Sequence, residues 1–369
     1  MMSSKKTKTN NQSNQENQPN NSAFSSFKKW FLRFTLIAII SFIALLAFAY
    51  VQFNNFINSP ISSQKTVLHL HVESGSSVYR VAHQLHEKGY LSQPQWFAWY
   101  LRYLEKQHVI KAGEFVIQPF WNVDQLISAL ESGKAIQYPV TIIAGHTFKQ
   151  TLTAIQALPK IEKKLDIQNI SELQQHFNIE HSIDDRYPYA GLEGRFLPET
   201  YLYQMGDSDL EILKRAYAAN KKVLQQAWEN RAKDLPYKTP YEALIMASIV
   251  EKETGYAPER PVIAGVFVNR MRKGMRLQTD PTVIYGIGQS YDGNIRKRDL
   301  QKATPYNTYT INRLPPTPIA LPSADAIEAT LNPEKTKFLY FVAKGEGKHH
   351  FSRNLKEHNR AVYKYLLSK

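Results

Sequence analysis

The sequence predicts an α+β protein: a single N-terminal transmembrane helix, a small strand-and-helix module, and a larger, mainly helical domain with short strands. Residues Phe34–Val51 form an unbroken apolar run, residues 66–143 switch between strand and helix periodicities, and from Thr147 onward helical spacing dominates. With 369 residues the chain has material for two domains besides its tail.

Residues 1–33 are rich in Asn, Gln, Ser and Lys and hold too few large apolar side chains to fold, which predicts a disordered tail. The segment that follows, 34–51 (FTLIAIISFIALLAFAYV), carries no charge. At 1.5 Å per residue it reaches about 27 Å, close to the roughly 30 Å of a hydrocarbon core. Trp30 and Tyr50 stand near its ends as interfacial anchors, and no small-residue cleavage site follows, so a retained anchor is expected rather than a signal peptide. Six basic residues precede the run, whereas the next charge after it is Lys65. The positive-inside rule then keeps the tail in the cytoplasm and exports the rest.

The formal net charge is +14, and most of the excess lies in the exported part. That suggests an anionic partner, and topology removes nucleic acid as a candidate. Lipid headgroups and the carboxylates of a bacterial cell wall remain. The chain has no cysteine, which excludes a thiol nucleophile, a thiolate metal site and a disulfide framework.

Residues 52–65 read as a stalk. Thr66–Glu73 alternates like a half-buried strand, and Val78, Val81, Ala82 and Leu85 then fall at helical spacing before Gly89. The aromatic run 96–104 (WFAWYLRYL) suits a core or a domain contact better than a sugar platform. A strand at Gly113–Ile117, a helix at Val123–Leu130 and a strand at Tyr138–Ile143 complete residues 66–145, whose pattern resembles a LysM-like peptidoglycan-binding module.

In residues 146–369, helices are predicted at Phe148–Leu158, Ser171–His176 and Leu210–Trp228. Between the last two, Gly194 and Pro198 break any regular element in 192–203, leaving Glu193 and Glu199 on a loop, solvated or lining a cleft. The most informative stretch is Thr239–Gly255 (TPYEALIMASIVEKETG). Thr239 can cap a helix, Pro240 fits its first turn, Glu242 completes a capping box and Gly255 marks the stop. Apolar side chains spread round nearly the whole circumference, so this helix belongs inside a core. It ends in two carboxylates, Glu251 and Glu253, which at about 100° per residue point to roughly opposite sides. Only one of them faces a cleft.

A second helix is expected over Pro258–Lys273. After it, the QTDPT segment has turn chemistry: Asp280 precedes Pro281 and is pushed out of the helical region, so Gln278, Thr279 and Asp280 would be displayed on a turn. Residues 304–316 (TPYNTYTINRLPP) place Tyr306, Asn307, Tyr309 and Asn312 in a loop where rings could stack on sugar faces and amides bond their hydroxyls. A purely structural loop would read the same way.

The runs ASIVEKETG, VFVNRMRKGMRLQTDPTVIYGIG, PYNTYTINRLPPTPIALPS and LYFVAKGEGKHHFSRNLKEHN together resemble the YceG-like endolytic murein transglycosylases, membrane-anchored cell-wall enzymes. The resemblance spans most of residues 60–369. It implies a lytic transglycosylase that cuts within nascent peptidoglycan strands, terminating their elongation from a lysozyme-like helical core with one essential Glu. It implies an inner-membrane protein with a periplasmic catalytic domain, with glycan strands and peptidoglycan synthases as partners. Carried over to this chain, the essential residue is Glu253, with Thr254 in the place of the Ser that follows the Glu in other lytic transglycosylases. Glu251 is the alternative, and Gln278, Thr279, Asp280, Tyr306, Asn307 and Tyr309 are the expected substrate contacts.

One carboxyl suffices for that chemistry. Raised toward neutrality by an apolar setting, it protonates the bridging oxygen and then takes the proton of the muramic C6 hydroxyl, which closes on C1 to give a 1,6-anhydro end. A hydrolase needs a second carboxylate. Glu193, Glu251 and above all Asp280 are the candidates, so a muramidase is the alternative activity. A non-catalytic wall-binding scaffold is the alternative from another class. His349, His350, His358 and Glu357 cluster near the C-terminus, but HExxH spacing is absent, as are phosphate loops and a nucleophile elbow; no cofactor or metal is expected.

Overall fold

The computed structural model describes residues 21–62, 65–108, 110–179 and 186–368, with side chains from Phe27 onward. The expected disordered tail lies largely outside the described residues. Within them, α1 (Asn21–Asn58) is longer at both ends than the apolar run. No Gly or Pro interrupts that stretch, so residues 21–33 and 52–58 continue the helix instead of forming tail and stalk. The chain divides into two compact units.

The first unit holds residues up to Leu68, Ser77–Ile110 and Ile117–Glu131. After α1 it contains α2 (Val78–Glu87), α3 (Pro94–Tyr103) and most of α4 (Val123–Ser132). Ser77 caps α2 by accepting from the Arg80 amide, and the helix buries Val81, Ala82 and Leu85, as its spacing predicts. On α3 only Phe97 and Leu101 are buried, so the aromatic run is half core and half surface.

The strands β1 (Leu68–Val72) and β2 (Gly113–Ile117) pair with each other, but apart from their outermost residues they belong to the second unit. Residues 66–145, expected as one module, are thus shared between the two units. Glu114 supplies the physical reason, because its carboxylate receives Lys160 Nζ at 2.5 Å and the Tyr138 hydroxyl at 2.7 Å, tying β2 to later segments. The Lys160 bond holds the Glu114 pKa down at about 2.

The second unit continues with β3 (Tyr138–Thr141), α5 (Phe148–Gln156), α6 (Ile170–His176), β4 (Thr200–Tyr203) and α7 (Asp209–Glu229). Strands β3 and β4 pair antiparallel with Val140 opposite Tyr201, so the segment 192–203, expected to be irregular throughout, ends in a strand. Phe148, Leu152, Phe196, Ile212 and Leu213 form the core here.

A second core surrounds α8 (Pro240–Glu253), whose residues Ala243 to Val250 are all buried. It packs against α7, α9 (Arg260–Arg272) and α12 (Ala324–Leu331), with α10 (Asp280–Ile287) nearby and the short α11 (Lys297–Gln301) after it. On α9, a Cβ at Gly265 would collide with the Glu334 carbonyl, so that close approach requires glycine. The chain ends in the hairpin β5 (Tyr340–Gly345) and β6 (Lys348–Ser352), followed by α13 (Leu355–Val362). Glu346 and Gly347 turn it with φ of 56° and 67°, the left-handed pair that a two-residue hairpin favours.

Candidate active site

Helix α8 starts as its sequence predicts but ends differently. Thr239 accepts from the Glu242 amide at 3.2 Å, while the Glu242 carboxylate takes the Lys238 amide instead of closing the box on Thr239. At the other end the helix stops because Thr254 is extended, φ −145°, and buried, its hydroxyl accepting from the Tyr256 amide at 3.0 Å. Gly255 needs no positive φ to make that stop.

The two terminal carboxylates meet opposite surroundings. Glu251 accepts from Arg260 Nη2 at 3.0 Å, from the Ser323 amide at 3.0 Å and from the Ser323 hydroxyl, and Ser323 is the N-cap of α12. Its oxygens are committed to joining α8, α9 and α12. Glu253 receives one hydrogen bond, from the Thr279 hydroxyl. Burial pushes its pKa up to about 7; the Thr279 bond and the Arg270 charge oppose that rise, and the Asp280 charge adds to it.

Thr279 is placed by a polar scaffold. The expectation of a turn at QTDPT is corrected: Asp280 opens α10, Pro281 fits its first turn and Thr279 is its N-cap residue. The Thr279 hydroxyl makes no capping bond, since it is given to Glu253. Its amide donates to Thr308 Oγ1 at 3.0 Å, and Thr282 Oγ1 bonds both the Thr279 carbonyl and Thr308 Oγ1 at 2.8 Å. The preceding Gln278 is exposed and lies at φ 50°, a strained conformation for a residue other than glycine. Arg270 steadies it from below, donating to the carbonyls of Leu277 at 2.7 Å, Arg276 at 3.2 Å and Leu339 at 2.6 Å.

The loop 304–316 supplies less of the surface than expected. Tyr306 and Asn307 are each 1% exposed. The Tyr306 hydroxyl pairs with Thr317 Oγ1 at 2.7 Å, while Asn307 Nδ2 donates to the carbonyls of Asp299, Leu300 and Lys302 and its Oδ1 accepts from the Tyr309 amide. These two side chains hold the loop together and are corrected from substrate contacts to scaffold. Tyr309 does reach the site, its hydroxyl donating to Asp280 Oδ1 at 2.6 Å. Asn312 accepts from Arg276 Nε at 2.9 Å.

A second buried carboxyl stands elsewhere in the same unit. Glu193 is 2% exposed, accepts the Phe148 amide at 2.8 Å at the start of α5, and lies 3.4 Å from the Tyr285 hydroxyl. Burial pushes its pKa up to about 8, and of the two settings open to it on a loop, solvated or lining a cleft, that burial removes the first. The C-terminal histidines have local uses: His349 Nδ1 is 2.8 Å from Glu259, and His358 stacks on Tyr340 with ring centres 5.1 Å apart. Sequence reasoning missed Arg270, Thr282 and Thr308, because a buried guanidinium among RMRKGMR and threonines in a loop look no different from exposed ones.

Residues 70–364 match the profile of the YceG-like family. The chain is 32% identical over 330 residues to an endolytic murein transglycosylase of Bacillus subtilis (strain 168), an alignment covering 87% of this chain and 91% of that protein. It is 28% identical over 334 residues to an endolytic murein transglycosylase of Streptococcus pneumoniae serotype 2 (strain D39 / NCTC 7466), covering 84% of this chain and 60% of that one. A crystal structure of a YceG-like protein from Listeria monocytogenes aligns with 81% of this chain and 100% of its own, at 28% identity and a TM-score of 0.49. With nearly 300 residues matched, from β1 into the C-terminal helical segment, the chain belongs to the YceG-like family.

Proposed function

We propose that this chain is an endolytic lytic transglycosylase of peptidoglycan, with Glu253 as its acid and base. The observation that carries this reading is the state of Glu253: a half-buried carboxyl whose desolvation pushes its pKa up to about 7, receiving a single hydrogen bond, at the end of a helix whose residues Ala243 to Val250 are all buried. Such a group is protonated in an appreciable fraction near neutrality and can donate to a glycosidic oxygen, then accept a proton once ionised. It protonates the oxygen between N-acetylmuramic acid and N-acetylglucosamine; the C1–O bond breaks, the muramic C6 oxygen bonds to C1, and its proton passes to the carboxylate. No water is consumed, and the product carries a 1,6-anhydro end.

Gln278, Asp280 and Tyr309 form the polar wall beside that carboxyl that would meet the sugars, with Thr279 orienting Glu253. The helical region around α8 serves as a lysozyme-like core, and residues 66–145 as a LysM-like module; the order β1, α2, α3, β2 with its outer strands paired supports the second assignment. Helix α1 anchors the protein in the inner membrane by a single span, its tail in the cytoplasm, which brings nascent strands and the synthases that make them within reach. Its support is an apolar, fully exposed stretch with basic residues on the N-terminal side.

A hydrolytic reading is favoured by one observation, the negative charge of Asp280 felt by Glu253. A carboxylate there could hold a water. The deciding experiment digests purified glycan with the full-length protein in detergent and weighs the ends. Anhydro ends support the transglycosylase, ends heavier by one water replace it with a muramidase, and glycan binding without cleavage at any pH leaves a scaffold.

A further inference from the structure

We propose that α3 is an interfacial helix, seated in the lipid headgroup layer on the exported side of the membrane through the aromatic stripe Trp96, Trp99, Tyr100 and Tyr103. The inference rests on reading α1 as a membrane span. Those positions follow the i, i+3, i+4, i+7 spacing of one helix face, while Phe97 and Leu101 turn the other way into the core.

The stripe meets two kinds of neighbour. Trp96 and Tyr100 pack against the last turns of α1, with the Phe53 ring 5.9 Å from Trp96 and 5.8 Å from Tyr100, and the Phe56 ring 5.7 Å from Trp96. Trp99 and Tyr103 are 61% and 81% exposed. From Phe27 to Asn58 every residue of α1 is exposed except Phe53, Phe56 and Ile57, so the contact with α3 lies at one depth. At 1.5 Å per residue Phe53 and Phe56 stand about 3 and 8 Å beyond Val51, the end of the apolar run. A headgroup layer is roughly 5–7 Å thick per leaflet, so α3 is held at that level.

A lipid surface accounts for the exposed pair better than a sugar does. Trp and Tyr prefer the headgroup level, where the ring meets acyl chains and the polar atom meets water. Arg102 adds an exposed cation beside Tyr103. The neighbouring loop repeats the pattern: the Ile61 amide donates to the Trp121 carbonyl at 2.7 Å just after α1, and beside it Phe120 is 56% exposed at φ 64°. A bulky apolar side chain displayed from a left-handed backbone is costly unless its surroundings favour it. The first unit is thereby seated directly on the bilayer rather than raised on a flexible stalk.

The test reconstitutes the full-length protein in lipid bilayers containing lipids brominated near the headgroup end of their chains, which quench only nearby indoles. Trp99 and Trp30 emissions are isolated by difference against Trp99→Phe and Trp30→Phe. The expected result is a blue-shifted Trp99 component that loses most of its intensity to brominated lipid and resists iodide. Quenching of Trp30 but not of Trp99 overturns the docking while leaving the anchor intact. Failure of both to quench overturns the anchor and the docking with it. If Trp99 is untouched by lipid but glycan strands shield it from iodide in detergent, the stripe is a sugar platform and the proposal falls.

Discussion

The two sides of the last turn of α8 differ by two residues in sequence and by everything in environment. Glu251 faces a cation and a helix N-terminus and has its oxygens occupied; Glu253 receives one threonine hydroxyl and feels the opposed charges of Arg270 and Asp280. An ion pair is what allows the first to be buried as a charge, and the lack of one is what drives the second toward its neutral form. The lesson is that a carboxylate's role follows from what compensates it, not from its burial.

The largest expected effect separates the two directly. Glu253→Gln loses roughly 10²- to 10⁴-fold in cleavage rate with the melting temperature unchanged or higher. Glu251→Ala keeps its activity per folded molecule but takes from Arg260 its nearer carboxylate, leaving Asp325 at 3.6 Å, at a cost of about 3 kcal/mol read from chemical denaturation. Reversal of those outcomes would move the catalytic assignment to Glu251.

The pH dependence sharpens the comparison next. Cleavage needs protonated Glu253, so activity falls as pH rises through about 7. Thr279→Val removes a bond that favours the ionised form and moves that alkaline limb to higher pH, whereas Asp280→Asn removes a repulsion and moves it lower. Shifts in the same direction for both variants would contradict the opposed effects of the two neighbours.

Stability should carry the same signature. Glu253 and Glu193 have pKa values raised in the fold to about 7 and about 8 from an ordinary 4.5. A carboxyl raised in this way contributes fully below its unfolded value and loses that contribution as pH climbs through the folded one. Denaturation midpoints are therefore expected to fall between pH 4.5 and about 8, and to fall less in Glu193→Gln. The smallest effect is that of Tyr309→Phe, which frees Asp280 and costs up to about tenfold in kcat/KM.

Much of the frame was legible because its signals are local. The apolar run, the strand and helix periods of residues 66–143, and the cap and apolar girdle of α8 all depend on neighbours in sequence. The candidate site was legible in outline: Glu253, Thr279 and Asp280 do come together, although Thr279 and Glu253 are 26 positions apart. What failed was the orientation of individual side chains. Tyr306 and Asn307 have the same composition and loop setting as Tyr309, yet their partners, Thr317 and the carbonyls around α11, turn them inward.

By itself the sequence determined that the chain has one segment able to cross a bilayer, an α+β body, a buried helix ending in two carboxylates, and the motifs of its family. Only the tertiary structure decided which carboxylate is compensated, that Glu193 is buried, that Asp280 opens a helix, and that α1 runs on to meet α3. The physical reason is common to all four: periodicity and capping are properties of adjacent residues, whereas desolvation and charge pairing depend on groups brought from tens of positions away.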